Sequence, residues 1–265
     1  MFLKNYFLKE KLKQNSYFIW NSQKKNIQTI KEFKPLHLEL IIGVDNQKEI
    51  LLKNTVNFAE GNFTNNALLW GARGNGKSSL IKSVFKKILI DQKNLKLIQL
   101  NKNDIFDIEY IYSILGQYNH FRFIMFIDDL SFEKIDSDYK IIKSTLDGSI
   151  QNQPTNILLY VSSNRRHLMP RDMIDNERSS AIHTDESVEE KISLSDRFGL
   201  WIGFHKLSQT DYLKIIKTYC QHYNINFDEE IKKKAIQWSL QRGNRTGRTA
   251  CQFILNTASD QNLKI

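Results

Sequence analysis

The sequence is poor in the residues that define several protein classes. Only two of its 265 residues are cysteines, Cys220 and Cys251, and only three are prolines, Pro35, Pro154 and Pro170. Two cysteines this far apart argue against a disulfide framework and lack the spacing of metal ligands, so a reducing compartment is expected. No repeat, low-complexity run or linker rich in proline and glycine divides the chain.

Long apolar runs are missing as well. Lys4 and Lys9 interrupt the amino-terminal stretch MFLKNYFLKEKLKQ before the apolar core of a signal peptide can form. No window approaches the roughly 20 apolar residues that a membrane helix needs. The sequence therefore predicts a cytoplasmic protein without a membrane partner.

Acidic residues are outnumbered, 29 against 38 basic ones, which gives a formal net charge of +9. Such an excess is compatible with a nucleic-acid partner, but the lysines are spread along the chain, which favours a general composition bias. The ten arginines are more selective, because none precedes position 73 and seven lie in four short clusters. The guanidinium group offers a rigid fork that suits phosphate oxygens. The clusters are Arg73, Arg165 with Arg166, Arg197, and Arg242 with Arg245 and Arg248.

Five short apolar runs have the length of buried parallel strands. They lie at 66–70, 95–100, 123–127, 156–161 and 199–204. Segments with helical periodicity separate most of them, at about 77–90, 104–116 and 138–148. This alternation predicts an α/β fold with a five-stranded parallel sheet and helices on both faces.

After residue 205 the strand pattern stops and helix-start signals follow. Ser208 with Asp211 resembles a capping box, Asn226 or Asp228 can cap a second helix, and Thr246 a third. The domain prediction is therefore an aromatic and basic lead-in at 1–36, an α/β core at 37–205, and a small α-helical lid at 206–265.

The stretch GARGNGKSS directly after the first predicted strand fits the pattern G-x-x-x-x-G-K-[ST]. Glycines there let backbone N–H groups turn towards phosphate oxygens, and the following helix presents its positive end. Lys77 is predicted to reach the β- and γ-phosphates of ATP, and the Ser78 hydroxyl to bind Mg²⁺. A glycine-rich turn that matches by chance is the plain alternative. The predicted phosphate-binding residues are Gly71, Ala72, Arg73, Gly74, Asn75, Gly76, Lys77, Ser78 and Ser79.

The stretch FIMFIDDLSFE, at 123–133, ends an apolar strand with two carboxylates. Asp128 is predicted to hold Mg²⁺, as an acid at such a strand end does in phosphate-loop NTPases. Asp129 is the preferred base for the attacking water, with Glu133 as the alternative. Two surface acids that cap a strand are the plain alternative. Asn164, at the end of the fourth strand, is suited to hydrogen-bond the γ-phosphate or the attacking water.

The order of these motifs resembles the AAA+ ATPases. The strings GARGNGKSS, DDLSFE, SSNRRHLMP and EEKISLSDRFGL, together with IIGVDNQKE at 41–49, resemble an uncharacterised bacterial family of predicted AAA+ ATPases. The likeness runs from about Trp20 into the lid. It implies that Asn164 senses the γ-phosphate and that Arg197 is an arginine finger inserted into a neighbouring subunit, hence a homo-oligomer. An ion pair of Arg197 with Asp196 or Glu190 is the alternative.

The same resemblance implies that Arg248 is the lid sensor of the phosphates, with Arg245 as second choice, and that Ile42 and Gly43 cradle the adenine. For the two arginines the alternative is a solvated helix start, where positive charge is unfavourable without an anion. Arg165, Arg166 and His167 are left open between surface charge and a family-specific role.

Two departures from the AAA+ pattern bear on function. Most AAA+ motors carry Glu where this chain has Asp129, which suggests slow turnover. No aromatic pore loop occurs between 100 and 120, which disfavours substrate threading. The leading hypothesis is an ATP-dependent molecular switch or remodeller with an unidentified protein or nucleic-acid client. The alternatives are a loader-like, ATP-gated binding module with little turnover and, less favoured, a small-molecule kinase.

Overall fold

The computed structural model describes residues 2–132, 137–147, 153–168 and 194–263. One seven-stranded sheet runs through the molecule in the order β2-β1-β4-β5-β6-β3-β7. All neighbouring strands are parallel except β1 and β2, which form an antiparallel hairpin. The strands are β1 (Tyr17–Asn21), β2 (Asn26–Thr29), β3 (Ala67–Gly71), β4 (Leu95–Leu100), β5 (Arg122–Ile127), β6 (Ile157–Ser163) and β7 (Leu200–Phe204).

The five strands predicted from apolar runs are all present, but the predicted count of five is wrong because the lead-in adds two more. Strand β1 pairs in parallel with β4, so the lead-in extends the sheet at this edge. Its sequence YFIWN alternates buried Phe18 and Trp20 with half-exposed neighbours. A strand near the edge of the sheet, with alternate residues half-exposed, carries a weaker apolar signal than a central strand covered on both faces.

Both faces of the sheet are covered by helices, as a parallel sheet requires. In β5, Phe123, Met125 and Ile127 enter one apolar core, whereas Ile124 and Phe126 enter the other. Side chains of a strand alternate between its faces, so one continuous apolar run supplies both cores. The helices of this part are α1 (Phe2–Gln14), α2 (Asp45–Glu60), α3 (Lys77–Leu89), α4 (Ile108–Leu115) and α5 (Ser137–Asp147).

The carboxyl-terminal part is helical and has its own apolar core, which includes Tyr212, Ile216 and Ile254. Each of its helices begins at a side-chain cap that accepts a hydrogen bond from the third backbone N–H of the helix. The caps are Ser208, Asp228 and Thr246, before helices α6 (Gln209–His222), α7 (Glu229–Gln241) and α8 (Gly247–Asp260). A search of the described residues finds no helix with the length and apolar content to cross a membrane.

Candidate functional site

A cavity of about 490 Å³ lies beyond the carboxyl ends of β3, β5 and β6. Ligands of open α/β sheets bind at this edge, because polar loops leave the buried strands there. Its walls come from the 36–42 segment, the loop between β3 and α3, the ends of β5 and β6, and helices α6 and α8. The cavity is therefore enclosed by the sheet on one side and by the carboxyl-terminal helices on the other.

The loop between β3 and α3 depends on glycine. Gly71 has φ +125°, and a Cβ atom there would lie 2.0 Å from the Phe204 carbonyl oxygen. The same oxygen accepts a hydrogen bond from the backbone N–H of Ala72 at 2.9 Å. Gly76 has φ +89° at the start of α3. Only glycine lets the chain leave β3 this close to β7 and then turn its N–H groups inwards.

Lys77 is buried at the first position of α3, and its ammonium group reaches back into the loop. Nζ donates to the carbonyl oxygens of Gly71 at 2.8 Å and Ala72 at 3.0 Å. It also donates to Asn164 Oδ1, on the neighbouring strand end, at 3.0 Å. The sequence-predicted phosphate lysine and the sequence-predicted sensor amide thus meet directly.

The charge of Lys77 is only partly compensated. Burial lowers the pKa of Lys77 to about 8, while the carboxylates of Asp129 and Asp128 act in the opposite direction. Arg248 and Arg73 lower the pKa further by like-charge repulsion. The three cations outnumber the two carboxylates that line the cavity, and this positive balance suits an anion.

Ser78 and Asp128 form an oxygen-only pair beside Lys77. Ser78 Oγ donates to Asp128 Oδ1 at 2.5 Å, and Ser162 Oγ donates to the same oxygen at 2.5 Å. Hydroxyl and carboxylate oxygens are the ligands that Mg²⁺ prefers, so this pair fits the ion. No three His, Cys, Asp or Glu side chains come together as a metal site in the described ranges. A magnesium ion here would take its other ligands from water and from the phosphates.

Asp129 follows Asp128 in a left-handed backbone conformation, φ +54°. Its carboxylate is exposed and accepts a hydrogen bond from Asn164 Nδ2 at 2.5 Å. The backbone N–H of Asp129 donates to Ser162 Oγ at 3.0 Å. A non-glycine residue held at positive φ is uncommon and is concentrated at functional sites. The alternative base, Glu133, lies outside the described residues.

One end of the cavity is apolar. Ile42 lines it together with Ile41, Leu207 and Tyr219, from the 36–42 segment and the first part of the lid. Such a surface suits the flat face of an adenine ring. Gly43, with φ +79°, is adjacent to these residues but is not among those that line the cavity.

The two candidate lid arginines occupy different positions. Arg248 lines the cavity, and its backbone N–H donates to the Gly74 carbonyl oxygen at 3.0 Å, which fixes the start of α8 against the loop. Arg245 instead faces a second, adjoining cavity, where its Nη2 lies 3.5 Å from Gln209 Oε1. Of the two, only Arg248 is placed to meet a phosphate in the first cavity.

Arg197 lies away from this cavity. It follows a short helical turn at 194–196 and precedes β7, so it lies at the amino end of the strand. Strand β7 has five residues and therefore spans roughly 16 Å, which separates Arg197 from the carboxyl edge of the sheet. Trp201 Nε1 donates to the Ser195 carbonyl oxygen and anchors this turn. Glu190, one candidate ion-pair partner of Arg197, lies outside the described residues.

Sequence reasoning missed two features of this region. Ser162 links Asp128 to the backbone of Asp129. The only sign of this role in the sequence is the pair of serines that ends an otherwise apolar strand. Arg166, left open from sequence, has its guanidinium 5.1 Å from the Trp70 ring and 5.7 Å from the Trp201 ring. This cation–π arrangement joins the end of β6 to β3 and β7.

Comparison with solved structures supports the fold. A single-residue mutant of RuvB from Thermotoga maritima matches with a TM-score of 0.54 at 16% identity, over 88% of this chain and 68% of its own. The Aeropyrum pernix ORC1 protein, solved in complex with DNA, matches with a TM-score of 0.56 at 13% identity, over 86% and 65%. Domain III of the Thermotoga maritima replication initiation protein DnaA gives 0.55 and 12%, over 88% and 94%.

At these identities the likeness shows the fold alone, an α/β fold with a mostly parallel sheet that matches these AAA+ P-loop NTPase neighbours. No curated protein matches the sequence. A family profile described as "Protein of unknown function (DUF815)" matches residues 13–261. Because that match covers nearly the whole chain, the protein belongs to the DUF815 family.

Proposed function

We propose that this protein is an ATPase that binds Mg-ATP in the 490 Å³ cavity and acts as an ATP-dependent molecular switch or remodeller. The observation that carries the proposal is the convergence of three strand ends on one point. Lys77 contacts Asn164, and Ser78 contacts Asp128, within hydrogen-bonding distance. In this proposal 37–205 form the nucleotide-binding core and 206–265 the lid.

Different residues bind the different parts of the nucleotide. The N–H groups of the Gly71–Ser79 loop and the Lys77 ammonium group hold the phosphates, and the adenine lies against Ile42 and Leu207. Ser78 and Asp128 would hold Mg²⁺, which when bound would neutralise charge that develops on the phosphate oxygens. Arg248 reaches the phosphates from the lid, so that nucleotide binding closes α8 onto the core.

Hydrolysis requires an in-line water. In the proposed step the water oxygen forms a bond to the γ-phosphorus while the bond from that phosphorus to the β–γ bridging oxygen breaks, giving ADP and phosphate. Asp129 accepts the proton that the water loses, and Asn164 orients the water and the Asp129 carboxylate. The contact of Asn164 with both Lys77 and Asp129 supports this role.

Arg197 is proposed to complete the site of a neighbouring copy of the chain. Its position at the amino end of β7 places it too far from its own cavity to act there. A finger that acts between subunits requires a homo-oligomer with head-to-tail contacts. The similar ORC1 protein was solved in complex with DNA, and this supports a nucleic-acid client as one partner, alongside a protein client.

A second candidate is an ATP-gated binding module with little turnover. Two features of Asp129 favour this candidate. Its side chain is shorter than that of glutamate, so its carboxylate extends less far into the cavity. That carboxylate is also hydrogen-bonded to Asn164. Measurement of both binding and turnover distinguishes the two candidates, since the module requires tight ATP binding without steady phosphate release.

The test compares Lys77→Ala with Lys86→Ala, a matched change of an exposed lysine on the same helix. We expect Lys77→Ala to abolish ATP binding by calorimetry and phosphate release, and Lys86→Ala to leave both unchanged. Light scattering with and without ATP reports assembly in the same samples. Unchanged ATP binding and hydrolysis in Lys77→Ala would refute the proposed function.

A further inference from the structure

A second cavity of about 920 Å³ adjoins the first and has a different chemical character. It lies between the phosphate loop, residues 206–207 and the lid, and we call it the basic groove. Arg73, Gly74 and Arg248 line both cavities, whereas Lys206, Arg242 and Arg245 line only the basic groove. The contact between the Arg248 N–H and the Gly74 carbonyl oxygen forms part of the boundary between them.

The charge of the basic groove is entirely of one sign. Of the described residues that line it, five are basic and none is Asp or Glu. Five cations at a shared surface repel one another, and that repulsion is relieved by a polyanion. Four of the five are arginines, although the chain contains 28 lysines and only ten arginines. The five are Arg73, Lys206, Arg242, Arg245 and Arg248.

One of these guanidinium groups is held in position before any ligand arrives, and another lacks a partner for a buried donor. Arg242 lies over the Trp238 ring, 4.1 Å from its centroid. Arg245 has a buried Nε atom without a hydrogen-bond partner, and its Nη2 makes only a long contact with Gln209. A buried, unpartnered donor on a charged group is costly, so an oxygen acceptor in the groove would stabilise it.

We propose that the basic groove binds the phosphodiester backbone of single-stranded nucleic acid. A strand with one phosphate per nucleotide presents the regularly spaced bidentate acceptors that arginine forks match. The groove is concave, so it can enclose one strand, whereas reading the base sequence of a duplex requires an element that enters one of its grooves. No aromatic ring is among the described residues that line it, so the expected binding is independent of base sequence.

This proposal goes beyond the proposed ATPase activity and does not depend on it. The binding measurement is therefore made without nucleotide, using fluorescence anisotropy of a labelled poly-dT oligonucleotide over a series of salt concentrations. The variant is Lys206→Gln with Arg242→Gln, both of which line the groove but not the ATP cavity. The control is Lys217→Gln with Lys233→Gln, two exposed lid lysines that carry the same change in net charge.

We expect wild-type binding to weaken steeply with salt. Loss of two phosphate contacts should weaken binding at least about tenfold and reduce the slope of log K against log salt by about 1.4, the value for two contacts to a single strand. The control pair should reproduce the wild-type slope. Calorimetric ATP binding should be unchanged in both variants, which separates this test from that of the ATPase.

Three results would overturn the proposal. The first is that the control pair weakens binding as much as the groove pair does, which would assign binding to net charge. The second is that duplex DNA of the same length binds more tightly than the single strand. The third is that poly-glutamate competes as well as poly-dT at equal charge, which would assign the groove to an acidic protein segment. If loss of the Arg242–Trp238 stacking unfolds the double variant, Lys206→Gln alone tests the same expectation, with about half the change in slope.

Discussion

Asn164 donates its side-chain N–H to the Asp129 carboxylate at 2.5 Å and accepts a hydrogen bond from Lys77 at 3.0 Å through its oxygen. The amide thus spans the distance between the phosphate-loop lysine and the preferred base. Since β5 and β6 are adjacent parallel strands, the residues that follow them emerge side by side. Motion of Lys77 towards a phosphate would therefore be transmitted to Asp129 through one side chain.

Replacement of Asp129 by asparagine tests its role as base. The amide is almost isosteric with the carboxylate and tolerates the positive φ of this position, but it cannot accept the proton of the attacking water. We expect the rate of phosphate release to fall at least about 100-fold while ATP still binds. Calorimetry and a single-turnover assay measure the two quantities separately.

Glu133→Gln is the matched control for Asp129→Asn, because it changes the other carboxylate in the same way. A smaller effect on turnover is expected from it. The opposite result, in which Glu133→Gln abolishes turnover and Asp129→Asn does not, would make Glu133 the base. Either conclusion requires that both variants still bind ATP.

Ser162→Ala should weaken the response to magnesium without changing the fold. The Ser162 hydroxyl donates to Asp128 Oδ1, the oxygen that also accepts a hydrogen bond from Ser78. The same hydroxyl accepts a hydrogen bond from the Asp129 backbone N–H. Loss of such a supporting hydrogen bond typically costs about 10-fold or more in metal affinity. A Mg²⁺ titration of ATP hydrolysis measures the shift. Ser163→Ala removes a buried hydroxyl that bonds Leu130 instead, and should leave the titration unchanged; an equal shift in both variants would assign the effect to strand stability.

The buried Lys96 should make the free energy of unfolding depend on pH, independently of the candidate site. It is 2% exposed in β4, and burial lowers its pKa to about 8 from the model-peptide value of 10.5. Between these two values the unfolded chain binds more protons than the folded one, so the contribution of Lys96 to stability rises with pH across this window. Below it, the folded state carries the cost of a buried charge.

Lys96→Met should therefore raise the free energy of unfolding near neutral pH, by about 1–2 kcal/mol, and should reduce its increase above pH 8. The ammonium group also bonds the Lys93 carbonyl oxygen at 2.9 Å, and loss of that bond limits the gain. Urea unfolding at several pH values measures the difference from wild type. Lys233→Met, at an exposed position, should show no such change in pH slope; a destabilised Lys96→Met would mean that its hydrogen bonds outweigh the burial cost.

The central strands could be predicted from sequence because each is a continuous apolar run covered on both faces. The lid helices could be predicted because Ser208, Asp228 and Thr246 are strong caps, and each makes the expected hydrogen bond. Strand β1 could not be predicted from sequence, because it pairs with β4, about 80 positions away, and such distant pairing leaves no local pattern. The lead-in therefore looked irregular.

The candidate site shows the same difference between residues that lie in one short motif and residues whose contacts are far apart in the sequence. The glycine-rich loop between β3 and α3 is a local pattern, so the prediction that its lysine, serine and glycines bind phosphates could be made from adjacent residues. Ser162 and Arg166 gain their roles from neighbours on other strands, Asp128 and Trp70 respectively, which no linear spacing reveals. The basic groove is a third example, since Arg73 and Arg242 line one cavity only because the carboxyl-terminal helices pack against the loop between β3 and α3.

The proposed role of Arg197 between subunits predicts complementation of inactive variants. Arg197→Ala should lose hydrolysis but keep ATP binding, because the side chain lies outside its own cavity. Lys77→Ala should lose ATP binding but still present Arg197 to a neighbour. In an equal mixture, about a quarter of the contacts pair an intact cavity with an intact finger, so about a quarter of wild-type phosphate release should return.

The mixture of Lys77→Ala with a Lys77→Ala, Arg197→Ala double variant is the control, because no contact in it contains an intact cavity. It should stay inactive at every ratio. Light scattering must show that both single variants still assemble with wild-type protein, since loss of assembly would also abolish activity. If they assemble and the mixture recovers nothing, or if Arg197→Ala hydrolyses ATP at the wild-type rate, Arg197 does not act across subunits. In that case its position before β7 would serve the fold, through the turn that Trp201 anchors at Ser195.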